Sequence, residues 1–179
     1  MTSPSVVRAA IPEDWDEIWR LFLLLHAENA MFPYSKARVD HFLARFIDPS
    51  KISPDDNGVR GFIGVIGKAG KLEGIIMMAL WQPWYTDQWV LEEWLNHVDP
   101  EHRNSNHAKA MIRYAKNIID NLRPENPDLK LIIGILSTKR TAAKVRLYSQ
   151  LLTPAGAYFF YPPNEETTAE PLKRLYKAH

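Results

Sequence analysis

The stretch Val98-Asp99-Pro100-Glu101-His102-Arg103-Asn104-Ser105-Asn106-His107-Ala108 decides the fold. It is a polar loop joining a strand-like segment, 89–98, to the clearest helix in the chain. Over 105–122, Ala108, Met111, Ile112, Ala115, Ile118, Ile119 and Leu122 recur at helical spacing as one apolar stripe, closed by Arg123-Pro124. Such a loop presents backbone N–H groups at a helix N-terminus, where the dipole adds positive character, and this suits a pyrophosphate. Arg103 can add a charge-assisted contact. The same residues admit a plainer reading, in which Asn104, Ser105 or Asn106 only caps the helix.

Working outward, Leu129 to Leu136 reads as a buried strand and 139–152 as a helix with Val145, Tyr148 and Leu152 in register. Ala157 to Tyr161 reads as a final aromatic strand before a polar tail. Upstream, Gly61 to Gly67 and Leu72 to Trp81 flank Lys68-Ala69-Gly70-Lys71, a β-hairpin signal. The glycines at 58, 61, 64, 67 and 70 recur every third residue, but the run is short and does not match G-x-G-x-x-G. Val6 to Ile11 reads as a short first strand. Pro12, Glu13 and Asp14 then open a helix carrying Ile18, Leu21, Phe22 and Leu25. A second helix from Ser35 turns Val39, Phe42, Leu43 and Phe46 inward, and 48–57 is a loop. The order is β-α-α-β-β-β-α-β-α-β, which predicts an α/β sheet with helices on its faces.

The 179 residues are a single-domain length, read as a core over 6–161 and a polar tail over 162–179. A net charge of +1 gives no broad field toward nucleic acid or a membrane surface. The absence of cysteine removes disulfides, thiolate metal sites and cysteine nucleophiles, and suits a reducing cytosol. Met1 to Pro4 has no signal-peptide character, and the longest apolar run, Leu21 to Leu25, falls far short of a bilayer span. A soluble, cytoplasmic protein is expected.

Val-x-Pro-x-x-Arg at 98–103, then Asn-Ser-Asn-His-Ala and a long amphipathic helix, resembles the acetyl-CoA loop of the GNAT acetyltransferases. That family's pattern is Arg or Gln, two residues, Gly, one residue, then Gly or Ala. Arg103 and Ala108 match, and Asn106 stands where the first glycine is usual. The Arg-x-Ser-x-His-Ala form is similar to a phage-like subset. Asparagine tolerates the positive φ that a glycine would supply. The family also carries Asn-x-x-Ala-x-x-Leu-Tyr after its fifth strand. Here Thr141-Ala142-Ala143-Lys144-Val145-Arg146-Leu147-Tyr148, followed by Gly156-Ala157-Tyr158-Phe159, is similar to it. Thr141 replaces the asparagine, and the alanine sits one place early.

The resemblance implies a GNAT-like fold, a central mixed, mostly antiparallel sheet flanked by helices. It implies an N-acetyltransferase that moves acetyl from acetyl-CoA to a primary amine of a small molecule or protein, by direct attack in a ternary complex. Val98, Arg103, Asn104, Ser105, Asn106, His107 and Ala108 would hold acetyl-CoA, with no metal. An oxyanion would meet strand-four amides near Val98. An amine of pKa ~10.4 must lose a proton before attack, and strand four offers Glu92 and Glu93. Alternation turns only one of them to the cleft, and Glu93 is preferred. Tyr148 would protonate the leaving thiolate, although a helix-face tyrosine can equally be core. A homodimer is admitted; nucleic-acid and membrane partners are not expected. The other class of reading is a catalytically weak or inactive acyl-CoA-binding or protein-interaction module.

Two further groups invite attention. Trp81, Trp84, Tyr85, Trp89 and Trp94 cluster in sequence and would wall the acceptor site, or else belong to the core. His97, His102 and His107 recur every five residues, a spacing that matches no helical ligand pair.

Overall fold

The structure is a computed structural model that describes residues 5–29, 32–51, 59–135 and 139–155. Its elements are β1 (Arg8–Ala9), α1 (Trp15–Asn29), α2 (Lys36–Ile47), β2 (Arg60–Lys68), β3 (Lys71–Trp81), β4 (Val90–Val98), α3 (His107–Leu122), β5 (Lys130–Ile133) and α4 (Thr141–Ser149). Short 3-10 turns at Pro12–Asp14, Pro49–Lys51 and Pro100–His102 join them.

The five strands lie in chain order in one sheet. β1–β2, β2–β3 and β3–β4 are antiparallel, and β4–β5 is parallel. Each antiparallel step follows a hairpin or a return, whereas the parallel step needs the α3 crossover. The expected strand at 157–161 lies outside the described residues.

The alternation of β2 and β3 builds two cores. Ile63, Val65, Ile75 and Ala79 point to one face, where Ile18 and Leu21 of α1 and Leu43 and Phe46 of α2 cover them. Ile66, Ile76 and Met78 point to the other, where Met111, Ala115 and Ile119 of α3 cover them. Full burial of each of these side chains other than the alanines contributes roughly 1.5–3 kcal/mol. Two of the β2 glycines are explained by this sandwich. A Cβ on Gly61 would lie 2.0 Å from the Phe46 ring, and one on Gly64 would lie 2.6 Å from Tyr114. The three-residue spacing places them on opposite faces, one under each helix.

Two charged ties fix the helices to the sheet edges. Asp14 is fully buried, accepts two hydrogen bonds from Arg8 at 2.7 and 2.8 Å, and accepts the Ile11 amide at 3.0 Å. Burial opposes its ionisation, but Arg8 and the Ile11 amide outweigh that and hold the carboxyl below its ordinary value. Arg20 of α1 donates to Asp99 at 2.6 Å and to the Leu72 carbonyl at 2.7 Å, locking α1 to the end of β4 and to the β2–β3 turn.

Several expected boundaries shift. The first strand shrinks to Arg8–Ala9, because only those residues pair with β2. α3 begins at His107 rather than 105, because Arg103 to Asn106 turn before entering it. α4 spans Thr141–Ser149, shorter than the expected 139–152.

Candidate functional site

The site is made by an irregularity in β4. Met78 pairs with Glu93 and Met77 with Leu95, so Trp94 is an extra residue, a β-bulge. Its effect on side-chain direction is visible in the cores. Leu91 faces α3, whereas Leu95, four residues on, faces α1 and α2. A regular strand would put both on one face. β4 also parts from β5 here, since their pairing covers only Val90–Glu93 with Lys130–Ile133. Among the described residues, β4 has no parallel partner beyond Glu93. The Asp99 amide donates to the Glu73 carbonyl at 2.9 Å, so alternation aims the Val98 amide away from β3, toward the gap.

A cavity of about 140 Å³ occupies this gap, lined by Asn96, His97 and Val98 of β4, Ala108 of α3, and Lys144, Leu147 and Tyr148 of α4. Arg103, Ser105, Arg140, Ala143, Glu28 and Asn29 complete it. Arg140, at φ 59, is the non-glycine residue with positive φ among those described, and it caps the start of α4. His97 is 5% exposed and its Nε2 has no hydrogen-bond partner. Burial first, and the nearby Arg103 charge second, push its pKa down to about 4, so the ring is neutral. Burial also lowers the Lys144 pKa, while Glu93 and Glu28 oppose the shift.

On the other side of β4 a larger cavity of about 550 Å³ lies between the sheet and α1–α2. Glu93, Trp94 and Leu95, three consecutive residues, all line it, which the bulge permits. Glu93 therefore stands where the two cavities approach each other. Tyr148 donates its hydroxyl proton to Glu93 Oε2 at 3.3 Å. Burial pushes the Glu93 pKa up to about 8, against the opposing Tyr148 hydrogen bond and Lys144 charge. Burial, then the Glu93 charge and hydrogen bond, raise the Tyr148 pKa, so its proton stays on oxygen.

The sequence-predicted residues divide. Glu93 and Tyr148 are brought together from β4 and α4. Glu92 instead accepts from Trp94 Nε1 at 3.2 Å. Val98, Arg103, Ser105 and Ala108 line the smaller cavity, whereas Asn104, Asn106 and His107 are not among its lining residues. Arg103 is engaged, its Nη2 on the Glu28 carboxylate and its Nε on the Val98 carbonyl at 3.3 Å. Asn106 sits at φ −89, so the position does not need the left-handed backbone a glycine supplies. Ser105 Oγ accepts the His107 amide at 3.2 Å, leaving the Ala108 and Lys109 amides as first-turn donors of α3.

The aromatic cluster comes apart. Trp94 alone of the five lines the larger cavity, braced by Phe42 and Phe46 at ring distances of 5.0 and 5.7 Å. Trp81 and Trp89 pack against opposite cores. Trp84 and Tyr85 are 94% and 73% exposed, because the β3–β4 connection runs past the end of the sheet. The three histidines also separate. His97 faces the cavity, while His102 and His107 stack and face Glu73, whose Oε2 lies 2.7 Å from His107 Nε2 and 3.5 Å from His102 Nδ1. His107 Nδ1 bonds Ser5 Oγ at 2.7 Å, so this group ties the α3 start to β3 and the N-terminal segment. Sequence reasoning gave no sign of Glu28, Asn29, Arg140 or Lys144. The first two come from a helix about 70 residues upstream of the loop they meet.

No protein-family model and no curated protein matches the chain. Solved structures do. A ribosomal-protein-alanine N-acetyltransferase from Brucella melitensis biovar Abortus 2308 superposes with a TM-score of 0.58 at 16% identity, covering 88% of this chain and 96% of its own. An aminoglycoside acetyltransferase from an uncultured soil metagenomic sample gives 0.60 at 15% identity, covering 92% and 99%. A transcriptional regulator from Bacillus halodurans C-125 gives 0.55 at 15% identity, covering 88% and 99%. At such identities the likeness is one of architecture. The bulged β4, its parting from β5 and the helices on both faces make this a GNAT-like fold, one that these acetyltransferases share with a transcriptional regulator.

Proposed function

We propose that the protein is an acyl-CoA-dependent N-acetyltransferase in which Glu93 takes the acceptor's proton and Tyr148 supplies one to the departing thiolate. The observation that carries this reading is the Tyr148 hydroxyl donating to Glu93 at 3.3 Å where β4 leaves β5. Acetyl-CoA fits the smaller cavity by its chemistry. The Val98 amide is available to the thioester carbonyl. The Ala108 and Lys109 amides, with Arg140 and Lys144 nearby, suit the phosphates. When bound, acetyl-CoA supplies the acyl group and a thiolate leaving group.

The protons balance through this chain's own residues. The amine nitrogen forms the new bond to the acyl carbon and gives its proton to Glu93 as the carbon–sulfur bond breaks. Tyr148 gives its proton to sulfur and regains one from Glu93, to which it is already hydrogen-bonded. A carboxylate with a pKa of about 8 is a better matched base than an ordinary one.

One observation favours the other reading, a catalytically weak or inactive module that has weakened or lost acyl-CoA binding: Arg103 is engaged by Glu28 and Val98. Thiol release from acetyl-CoA over a panel of amines separates the two. Wild type should release thiol with a kcat, read at saturating amine, that rises with pH to a plateau above about 8, because Glu93 must be ionised to act. Glu93→Gln should lose ~10²–10⁴ in rate and lose that inflection. A Gln variant with the wild-type profile would remove Glu93 from the mechanism.

A further inference from the structure

The larger cavity carries information about the acceptor, and its reading rests on the reaction proposed above. Its walls are apolar or aromatic, with Phe22, Phe42, Met77 and Trp94 among them, and its charged lining residues among those described are Glu93 and Arg38. Trp94 and Phe42 meet edge to face at 5.0 Å, so the aromatic wall is preformed. We propose that the acceptor is a primary monoamine on an apolar, aromatic-sized body, with its nitrogen at Glu93, and that Arg38 excludes polycations.

The charge count decides between acceptor classes. An aminoglycoside or polyamine brings several ammonium groups, each needing a carboxylate or water when desolvated. This cavity offers one carboxylate, already shared with Tyr148, and sets a guanidinium among the remaining walls. A second ammonium entering it would meet Arg38 as a like charge, a repulsive element of the kind that produces specificity. A monoamine meets the opposite conditions. Its apolar body fits the walls, and their low polarity favours the neutral, nucleophilic amine over the ammonium ion. The cavity volume of about 550 Å³ lies within the range of small-molecule sites. The structural likeness to an aminoglycoside acetyltransferase therefore does not extend to this chain's acceptor chemistry.

The test measures amine occupancy directly, so that it stands apart from turnover. Saturation-transfer NMR on the full chain, with and without CoA, would compare 2-phenylethylamine and tryptamine with spermidine and kanamycin. The aromatic monoamines should bind wild type at least ~10-fold more tightly than spermidine. Trp94→Ala should weaken the monoamines, and Arg38→Glu should improve spermidine by ~10-fold while leaving the fold intact, since Arg38 is exposed. Spermidine or kanamycin binding wild type as tightly as the monoamines would overturn the proposal, as would no binding of either monoamine. Monoamine binding without thiol release would keep the acceptor class and count against the reaction instead.

Discussion

Glu93 and Tyr148 lie 55 residues apart and share one proton contact, so each explains the other's environment. The Tyr148 hydroxyl partly offsets the burial of Glu93, and burial together with the Glu93 charge keeps the tyrosine protonated. The phenol therefore carries its proton throughout the working pH range, and Glu93 beside it can replace the proton it gives. Tyr148→Phe keeps the ring and its packing and deletes the donor. With an accepted amine, kcat should fall ~10²-fold while KM and CoA affinity hold, because the contact matters mainly in the transition state. The low end of the usual range applies because a thiol of pKa ~8.5 leaves fairly well unprotonated. Steady-state kinetics giving a Phe variant within twofold of wild type would assign Tyr148 to packing.

At the scale of elements, the hairpin and α3 were legible in the sequence and the bulge was not. The apolar runs at 62–66 and 75–79 on either side of Gly70 at φ +77, and the stripe from Met111 to Ile119, are local patterns, and local patterns survive into structure. The bulge at Trp94 is a difference in register between two strands, set by what α2 and β3 pack against, and no residue of β4 announces it. Strand alternation turns only one of Glu92 and Glu93 to the cleft without choosing between them, and it did not foresee that Glu93, Trp94 and Leu95 would line the same cavity. The loop at 98–108 was legible as a helix entry, whereas the Arg103–Glu28 pair, spanning 75 residues, was not. A direct probe of the helix entry is Ala108→Trp. A large ring at this cavity-lining position should block CoA while leaving the protein folded, with overpacking costing ~1–3 kcal/mol. Fluorescence or calorimetric titration checks it. Unchanged affinity in a folded variant would place the phosphates elsewhere.

For the whole molecule, two buried groups on β4 shape stability in opposite directions. His97 has a folded pKa of about 4 against 6.5 unfolded, so its contribution is present above 6.5 and is lost as pH falls toward 4. Glu93 has a folded pKa of about 8 against 4.5, so its contribution is full below 4.5 and is lost as pH rises to 8. Each slope is about 1.4 kcal/mol per pH unit. Between 4.5 and 6.5 they cancel, and urea denaturation of wild type should give a plateau there. His97→Asn should leave stability falling with pH from 4.5 to 8, and Glu93→Gln should leave it rising from 4 to 6.5. A plateau retained in both variants would show that neither group is desolvated as its burial implies.

The two cavities, the proton contact between them and the parting of β4 from β5 matter for function only if the gap receives acetyl-CoA. Among the described residues no helix is long and apolar enough to cross a membrane. Isothermal calorimetry of wild type with acetyl-CoA tests the central claim most directly. The account predicts saturable one-site binding, with a matching rise in melting temperature because the ligand binds the native state. No heat and no thermal shift at ~1 mM acetyl-CoA would contradict it.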